Sequence, residues 1–269
     1  MADLYRDLNQ TKLYAATRPT YPPELFRFIA SKAPGRRLAW DVGTGSGHAA
    51  VALSELFDSV VATDSSPEQL SHAPSHLPNL RFVLTPISLS IPDVHRLVAP
   101  LGSVDLVTVA TALHWLDAPA LFAQARAVLR RPGGVLAAWC YGLDSEIDGG
   151  RVDEICRSVF TAAWGYIKKE VREMVDEGYG GLEFPFEAVE GVEEGTAPVR
   201  RFAAVKEMRA EDVVDLMKTG TGYQRARKAG VELLPEEVVA ELKRAWGDDC
   251  EELKKVKFPL SLRIGRVGV

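Results

Sequence analysis

Trp40-Asp41-Val42-Gly43-Thr44-Gly45-Ser46-Gly47 is the stretch of this 269-residue chain that decides the fold. It closes a short apolar run at residues 37–42 and opens a helical pattern over residues 47–56. Glycines at every second position let the backbone turn sharply and approach a ligand with no Cβ in the way. The start of the following helix offers free amide groups, so the loop predicts a ligand site between a strand and a helix.

Five short, almost continuously apolar runs alternate with helical patterns through the first half of the chain. Such runs are typical of strands covered on both faces, and the alternation predicts βαβ units in a parallel sheet. The predicted strands are residues 37–42, 59–63, 80–84, 104–110 and 134–140, with helices at 47–56, 67–72, 93–99 and 119–129 between them.

The second half of the chain has a different composition. Residues 143–269 hold 46 Lys, Arg, Asp and Glu side chains against 23 in residues 1–142. Its patterns predict solvated helices and a few extended pieces that return to the sheet. These are helices at residues 152–175, 210–218 and 235–246, extended segments at 182–189 and 199–205, and a closing strand within 255–269.

We therefore expect an α/β fold with a doubly wound, mostly parallel seven-stranded sheet and a helical cap inserted in the C-terminal half. The chain is interpreted as one domain, residues 1–269. Its expected parts are a lid segment (1–21), a core (about 22–142, with late strands at about 182–206 and 255–269) and the cap (about 143–181 and 207–254).

Composition excludes several classes of function. A net charge of −5 gives no general attraction to nucleic acid or anionic membrane. No apolar run approaches the roughly 20 residues of a membrane span, and the N-terminus has no signal-peptide core. Three widely spaced cysteines and the absence of an HExxH pattern argue against disulfides and a metal site. We expect a cytoplasmic protein that needs no nucleic acid, membrane or obligate protein partner.

Two acids accompany the glycine loop. Its spacing lacks the third glycine of a dinucleotide loop, since His48 stands there, and Asp41 precedes it, which favours a cofactor that carries a cationic group. Asp64 follows the second predicted strand, where an acid can accept both hydroxyls of a ribose. The alternative for Asp64 is to cap the next helix, a position that Ser65 or Ser66 also suits.

These motifs resemble the class I S-adenosylmethionine-dependent methyltransferases. Residues 41–47 match the first motif of that family, Asp64 its ribose acid, 103–107 its fourth-strand motif and 129–134 the turn before its fifth strand. The chain departs from many members in having Leu-Thr-Pro-Ile-Ser, without an acid, at residues 84–88. The resemblance implies a Rossmann-like fold and S-adenosyl-L-methionine as cofactor, held by Asp41, Gly43, Gly45, Gly47, Asp64, Ser65, Ile87, Ser88 and Ala110.

A narrower likeness involves the branch that includes trans-aconitate methyltransferases. It rests on residues 14–22, YAATRPTYP, and on residues 112–117, ALHWLD. The first segment precedes the core and is expected to fold over the cofactor, and the second follows the fourth strand, near the reacting methyl group. The resemblance implies substrate-binding roles for Tyr14, Arg18, Tyr21, His114 and Trp115.

Each of these residues also has a plainer interpretation. His114 can act as a general base, with an ordinary pKa near 6.5, or only fix the shape of its loop. Trp115 can cover a sulfonium by cation–π attraction or pack in the core. Arg18 can clamp a carboxylate or lie in solvent. A carboxylate acceptor would need no base, because it is already ionised at pH 7.

The sequence thus predicts methyl transfer to a small molecule, to a carboxylate or another oxygen nucleophile. One alternative is a protein that binds S-adenosylmethionine without catalysis. A second is a nicotinamide-dependent oxidoreductase, against which the missing third glycine speaks. Methylation of a macromolecule would need a basic groove that the composition does not indicate.

Overall fold

The computed structural model describes Leu13 and residues 17–142, 145–147, 150–192 and 198–269. Tyr14, one of the predicted substrate-binding residues, lies outside the described residues. In chain order the elements are α1 (Pro23–Lys32), β1 (Leu38–Val42), α2 (His48–Ser54), β2 (Ser59–Asp64), α3 (Pro67–Leu70), β3 (Leu80–Leu84), α4 (Ile91–Leu97), β4 (Leu106–Ala110), α5 (Ala118–Val128), β5 (Val135–Tyr141), α6 (Arg151–Trp164), α7 (Lys169–Asp176), β6 (Val199–Met208), α8 (Ala210–Lys218), α9 (Thr221–Lys228), α10 (Glu236–Trp246) and β7 (Lys254–Arg266).

Among the described residues, seven strands form one sheet in the order β3-β2-β1-β4-β5-β7-β6. Strands β1 to β5 are parallel to one another, and β7 runs antiparallel between β5 and β6. The strand order reverses after β3, which makes β1 and β4 neighbours at a switch point. Ligands of such sheets bind in the crevice outside the carboxyl ends of the strands at this point. The predicted doubly wound, mostly parallel seven-stranded sheet is confirmed.

Apolar side chains cover both faces of the sheet, which explains the continuous apolar runs of the sequence. Successive side chains of a strand point to opposite faces. Trp40 and Val107 accordingly belong to the core on one face, whereas Ala39 and Leu106 belong to the core on the other. The strands therefore need apolar residues at consecutive positions. The polar residues of the site accordingly lie at the ends of the strands.

A third apolar cluster joins the helices of the second half to β6 and β7. Helix α6 packs against α9 and α10. Ile155 of α6, Trp246 of α10 and Phe258 of β7 lie together in this cluster. The indole Nε1 of Trp246 donates a hydrogen bond to the carbonyl of Glu252, at 3.0 Å. These helices therefore take their position from the strands that close the sheet.

The predicted helix over residues 152–175 is wrong in its middle, where the chain forms the two helices α6 and α7. Gly165 ends α6, and the amides of Gly165, Tyr166 and Ile167 each donate to the carbonyl three residues earlier. Three successive bonds of this tighter kind break the α-helical pattern. Glycine also costs about 1 kcal/mol relative to alanine inside a helix, which favours the break at this position.

The extended segment predicted at residues 182–189 is not a strand of the sheet. Within it, Glu187 alone pairs with a strand, in an isolated bridge to Arg266. Pro185 has no amide hydrogen to donate, and the amide of Phe186 donates to the carbonyl of Phe184 in a three-residue turn. The other predicted late strands do form, as β6 within residues 182–206 and as β7 within residues 255–269.

Replacing Asp105 with Ala should lower the free energy of unfolding by about 3 kcal/mol. The fully buried carboxylate accepts hydrogen bonds from the amides of Arg37 and Leu38 at 2.8 and 3.3 Å and forms an ion pair with Arg130 at 3.1 Å. Its loss leaves two backbone donors unsatisfied, at about 1–3 kcal/mol each when buried. Urea unfolding measures the change. The exposed Asp58→Ala substitution is the control and should stay within about 0.5 kcal/mol of the wild type.

Candidate active site and cofactor-binding cavity

The glycine loop joins β1 to α2 with three left-handed glycines. The φ angles of Gly43, Gly45 and Gly47 are 65°, 58° and 90°. A Cβ on Gly43 would lie 2.8 Å from the Cβ of Ala112. A larger residue at this position is therefore excluded both by the lack of space and by the left-handed backbone conformation. Gly43 and Gly45 line a cavity at the carboxyl ends of the strands, whereas Gly47 is the N-cap of α2 and faces the ring of Phe82.

Asp64 ends β2 and lines the same cavity. Its two carboxylate oxygens accept hydrogen bonds from the amide of Gly45 at 2.7 Å and the amide of Ser66 at 2.9 Å. Burial raises the pKa of Asp64, and the backbone donors act against that rise. The N-cap of α3 is Ser66, whose hydroxyl accepts from the amide of Gln69. The helix therefore has its own cap, and the Asp64 carboxylate is left at the cavity wall.

Asp41 lies behind the loop and does not line the cavity. Its fully buried carboxylate accepts hydrogen bonds from the hydroxyls of Thr44 and Thr108, both at 2.6 Å. Burial raises the pKa of Asp41 to about 6, although both hydroxyl hydrogen bonds lower it. This acid thus fixes Thr44 in the glycine loop and joins β1 to β4, and it does not offer a free oxygen to a ligand.

The first cavity has a volume of about 220 Å³ and lies above the β1–β4 switch point. It brings together residues from five separate parts of the chain that the sequence predicts for one site. Of the predicted site residues, those lining it are Arg18, Tyr21, Gly43, Gly45, Asp64, Ser65, Ile87, Ser88, Ala110 and Trp115. Asp41, Gly47 and His114 do not line it.

Gln69 lines the first cavity, although no sequence pattern marks it as a site residue. Its side chain is 6% exposed, and its Oε1 has no hydrogen-bond partner among the described residues. A buried amide oxygen needs a donor, because leaving it unpaired costs about 1–3 kcal/mol. A ligand with hydroxyl or amino hydrogens beside Asp64 would supply that donor. In the sequence Gln69 is only the third residue of a short helix.

Two further residues shape the cavity without a sequence signal. Gln124 of α5 donates from Nε2 to the carbonyl of Leu89, so it holds the loop that carries Ile87 and Ser88. Thr111 follows β4 with a φ of 52°, and its hydroxyl is 2.9 Å from the hydroxyl of Tyr21. A non-glycine residue in the left-handed region is uncommon, and strain of this kind concentrates at functional sites.

His114 lies in a short 3-10 turn after β4 and is almost fully buried. Its Nδ1 is 2.8 Å from the hydroxyl of Tyr179, and that hydroxyl also interacts with the thiol of Cys140. Burial lowers the pKa of His114 to about 3, so the imidazole is neutral at pH 7. The cause is the removal of the ring from water, and a neutral imidazole with so low a pKa is a weak general base.

A second cavity of about 130 Å³ adjoins the first, and His114 is in its wall. Four residues line both cavities: Arg18, Thr111, Trp115 and Tyr141. The guanidinium of Arg18 donates to the hydroxyl of Tyr141 at 3.0 Å, and Lys206 donates to the backbone carbonyl of Arg18 at 3.3 Å. These bonds hold Arg18 at the place where the two cavities meet.

Two negative findings concern the described residues only. None of the helices among them has the length and apolar character to traverse a lipid bilayer. They also contain no group of three or more His, Cys, Asp or Glu side chains placed to hold a metal ion.

A glycine loop and an acid at adjacent strand ends, over the switch point of a doubly wound sheet, define a protein of the Rossmann-like class that binds a nucleoside cofactor. Comparison with known proteins agrees. Residues 40–138 match a family described as a methyltransferase domain. A protein described as a type II methyltransferase from Anaeromyxobacter dehalogenans is 30% identical in sequence, and its structure superposes with a TM-score of 0.76 over 94% of this chain and 99% of the other.

Two curated relatives extend the comparison. A protein of Dictyostelium discoideum described as a methyltransferase is 28% identical over 95% of this chain and 92% of its own length. The methyltransferase pgmE of Aspergillus terreus is 33% identical over 48% of this chain and 41% of its own length. The chain belongs to the class I S-adenosylmethionine-dependent methyltransferase family, and S-adenosyl-L-methionine is its cofactor. The likeness to the trans-aconitate branch stays a prediction.

The residues of the first cavity fit this cofactor. The glycine loop leaves room that a Cβ on Gly43 would fill, and the unpaired Gln69 oxygen and the Asp64 carboxylate both accept hydrogen bonds. S-adenosylmethionine carries ribose hydroxyls and amino groups as donors for these oxygens. Membership of the methyltransferase family also argues against the alternative prediction that the protein is a nicotinamide-dependent oxidoreductase.

Replacing Gly43 with Ala should weaken binding of S-adenosylhomocysteine at least tenfold, because the added Cβ meets Ala112 at 2.8 Å and displaces the loop. Isothermal titration calorimetry measures the affinity. Gly102→Ala is a matched control, since Gly102 has a φ of 67° and no atom within 4 Å of the place that its Cβ would take. The control variant should lose about 1–2 kcal/mol of unfolding free energy through backbone strain alone. Its affinity for S-adenosylhomocysteine should stay unchanged. Equal binding by the two variants would contradict the placement of the loop.

Replacing His114 with Gln should remove one part of the pH dependence of stability. Below pH 6.5 the unfolded wild-type chain takes up a proton at His114 that the folded chain, with a pKa of about 3, does not. Relative to the variant, the wild type should therefore lose about 1.4 kcal/mol of unfolding free energy for each pH unit between 6 and 4. Urea unfolding at a series of pH values measures this difference.

The raised pKa of Asp41 acts in the opposite direction, since the folded chain holds its proton more tightly between pH 4 and 6. Both proteins contain Asp41, so its contribution cancels in the difference. The exposed His72→Gln substitution is the control and should follow the wild type. A stability difference that stays constant over this pH range would show that the folded protein protonates His114 normally.

Proposed function

We propose that the protein transfers the methyl group of S-adenosylmethionine to an oxygen atom of a small molecule, a carboxylate or another oxygen nucleophile. The observation that carries the proposal is the meeting of the two cavities at Arg18, Thr111, Trp115 and Tyr141. The glycine loop and Asp64 line the first cavity, whereas the rest of the second cavity's wall comes from other residues. A donor in one and an acceptor in the other would meet at the four shared residues.

In this proposal the first cavity binds the cofactor, which supplies an electrophilic methyl carbon on a sulfonium sulfur. Asp64 and Gln69 line this cavity and would accept hydrogen bonds from the ribose, and Ile87 and Ser88 would contact the adenine. Ala110 and the glycine loop support the remaining part of the cofactor. The Asp41 carboxylate stands behind the loop and favours a cationic ligand by its charge, without touching it.

Arg18 supports an oxygen nucleophile as the acceptor. Its guanidinium lies between the cavities and is held there by Tyr141, in a position to orient a carboxylate by charge-assisted hydrogen bonds. Holding two reactants in contact and in line supplies much of the rate of a transfer that needs no proton movement. Tyr21 and Trp115 complete the wall beside the reacting atoms.

The state of His114 supports an acceptor that is already ionised. A base with a pKa of about 3 takes a proton from a phenol or an alcohol poorly at pH 7. A carboxylate with a pKa near 4 needs no base. We therefore propose that His114 orients the acceptor through its Nε2, because Nδ1 is engaged with Tyr179.

The parts of the chain have separate roles in this proposal. The segment before α1 acts as the lid, and the helices at residues 143–181 and 207–254 act as the cap. Side chains of α6, α7 and α8 supply much of the second cavity wall, which supports that role for the cap. A cavity of about 130 Å³ suits a small molecule.

The proposal is tested by incubating the protein and S-adenosylmethionine with a panel of small acids, phenols and amines. Formation of S-adenosylhomocysteine, followed by mass spectrometry, should require an oxygen acceptor. Cofactor binding with no turnover on the whole panel would favour the non-catalytic alternative. Turnover confined to amines would contradict the oxygen nucleophile.

Replacing Arg18 with Met should raise the KM for an acid acceptor of that panel roughly 30-fold, since a charge-assisted hydrogen bond contributes about 2 kcal/mol. The affinity for S-adenosylhomocysteine should change less than threefold. Arg27→Met, on the exposed face of α1, is the matched control and should leave both values unchanged. An unaltered KM in the Arg18 variant would remove this residue from the acceptor site.

A further inference from the structure

We propose that the second cavity takes a monocarboxylic acid whose body is a single aromatic ring, with the carboxylate at Arg18 and the ring among the helices of the cap. This inference rests on the proposed function, since it names the acceptor of that same site. The wall, the size and the charge of the cavity support it.

Much of the wall of the second cavity is apolar and contains several aromatic rings, although Thr111, Ser145 and Thr221 also line it. Separate elements supply it, so their arrangement follows from the packing of the whole cap. Its large apolar side chains are Phe160 and Trp164 of α6, Ile167 of the turn that follows, Val171 and Val175 of α7, Leu216 of α8 and Phe258 of β7. Aromatic pairs gain about 0.5–1.5 kcal/mol beyond the burial of their area, which favours a ring over a flexible chain.

The size of the cavity limits the ligand to about one ring. Its volume is about 130 Å³. An engineered apolar cavity of about 150 Å³ binds benzene, so the second cavity matches a single six-membered ring. A body of two fused rings exceeds this volume unless a wall residue is made smaller. The ring can occupy the cavity only if its reactive group lies at the end shared with the first cavity.

The charge of the described part of the wall favours a single carboxylate. Among the described residues that line the cavity, Arg18 is the one side chain ionised at pH 7, because His114 is neutral. An amine acceptor that remained protonated would place a second cation beside Arg18. A polycarboxylate would place its other charges against Phe160 or Trp164, where an unpaired buried charge costs several kcal/mol.

The chemistry balances without a proton transfer. A lone pair of the carboxylate oxygen forms the new C–O bond to the methyl carbon. The C–S bond breaks, and its electron pair stays on sulfur. The negative charge of the acid and the positive charge of the sulfonium disappear together, giving a methyl ester and a thioether. Arg18 orients the carboxylate and has to leave one oxygen free for the attack, so its bond to Tyr141 serves to limit its own movement.

The test uses the full chain with benzoate, phenylacetate, cyclohexanecarboxylate, benzylamine, phenol and benzene-1,3,5-tricarboxylate. Methyl ester formation from S-adenosylmethionine is followed by mass spectrometry. In parallel, calorimetry measures binding of each compound to the protein saturated with S-adenosylhomocysteine. We expect kcat/KM for benzoate or phenylacetate to exceed the values for the amine, the phenol and the triacid at least 50-fold.

Each result has a defined meaning. A strong preference for the aromatic acids over cyclohexanecarboxylate supports an acceptor with an aromatic ring. An equal rate with cyclohexanecarboxylate overturns the statement that the ring is aromatic. Preferred methylation of the triacid, the phenol or the amine overturns the inference and leaves methyl transfer intact. Failure of every acid, with tight binding of S-adenosylhomocysteine, also overturns it. Failure to bind S-adenosylhomocysteine would instead contradict the proposed function itself.

Two substitutions in the wall test the placement of the ring. Val171→Phe should fill the cavity and weaken benzoate binding at least tenfold, whereas Val205→Phe, outside the cavity on β6, should not. Both variants should bind S-adenosylhomocysteine as the wild type does. Phe160→Ala should enlarge the cavity and admit 2-naphthoate, which the wild type should methylate at least 20-fold more slowly than benzoate. Unchanged selectivity in both wall variants would place the acceptor elsewhere.

Discussion

The carboxylate of Asp41 lies inside the sheet and is held by hydroxyl hydrogen bonds from Thr44 and Thr108. A buried carboxylate is costly unless its oxygens are satisfied, so both threonines must keep their positions. Thr44 belongs to the glycine loop and Thr108 to β4, so this group fixes the loop at the β1–β4 switch point. The position of Gly43, the hydrogen bond from Gly45 to Asp64 and the first cavity all depend on this arrangement.

The two cavities differ in their charge. Carboxylates lie at or behind the wall of the first cavity, at Asp64 and Asp41, and suit a ligand with a positive centre. The described wall of the second cavity has one cation, Arg18, and a histidine that burial keeps neutral. In the proposed reaction, a cation and an anion approach each other and both charges vanish. A low dielectric around them strengthens the attraction that aligns them.

Much of the cofactor side could be predicted from the sequence, because local rules determine it. Strands β1 to β5 are predicted by their apolar runs. Gly43 and Asp64 stand at strand ends, where few residue types have the required conformation or hydrogen-bonding groups. The rest depends on contacts distant in sequence. The sequence does not predict helix α9, because Gly222 lies within it and glycine disfavours a helix. The reason for this glycine is a distant contact, since a Cβ at this position would lie 2.2 Å from the carbonyl oxygen of Ala163. The neutral state of His114 depends on burial beside Tyr179, 65 residues away along the chain.

The separate origin of the two walls has a consequence for how such a protein diversifies. The wall of the first cavity comes largely from the ends of the parallel strands, whereas the second cavity is enclosed largely by α6, α7 and α8. Under the proposed function, substitutions in those helices would alter the choice of acceptor and leave the wall of the first cavity as it is. Within the described part of the chain, only Arg18, Thr111, Trp115 and Tyr141 line both cavities, so a substitution at any of these four positions would change both walls at once. In the proposed function, acceptor selectivity and cofactor affinity would therefore be modular properties of one chain.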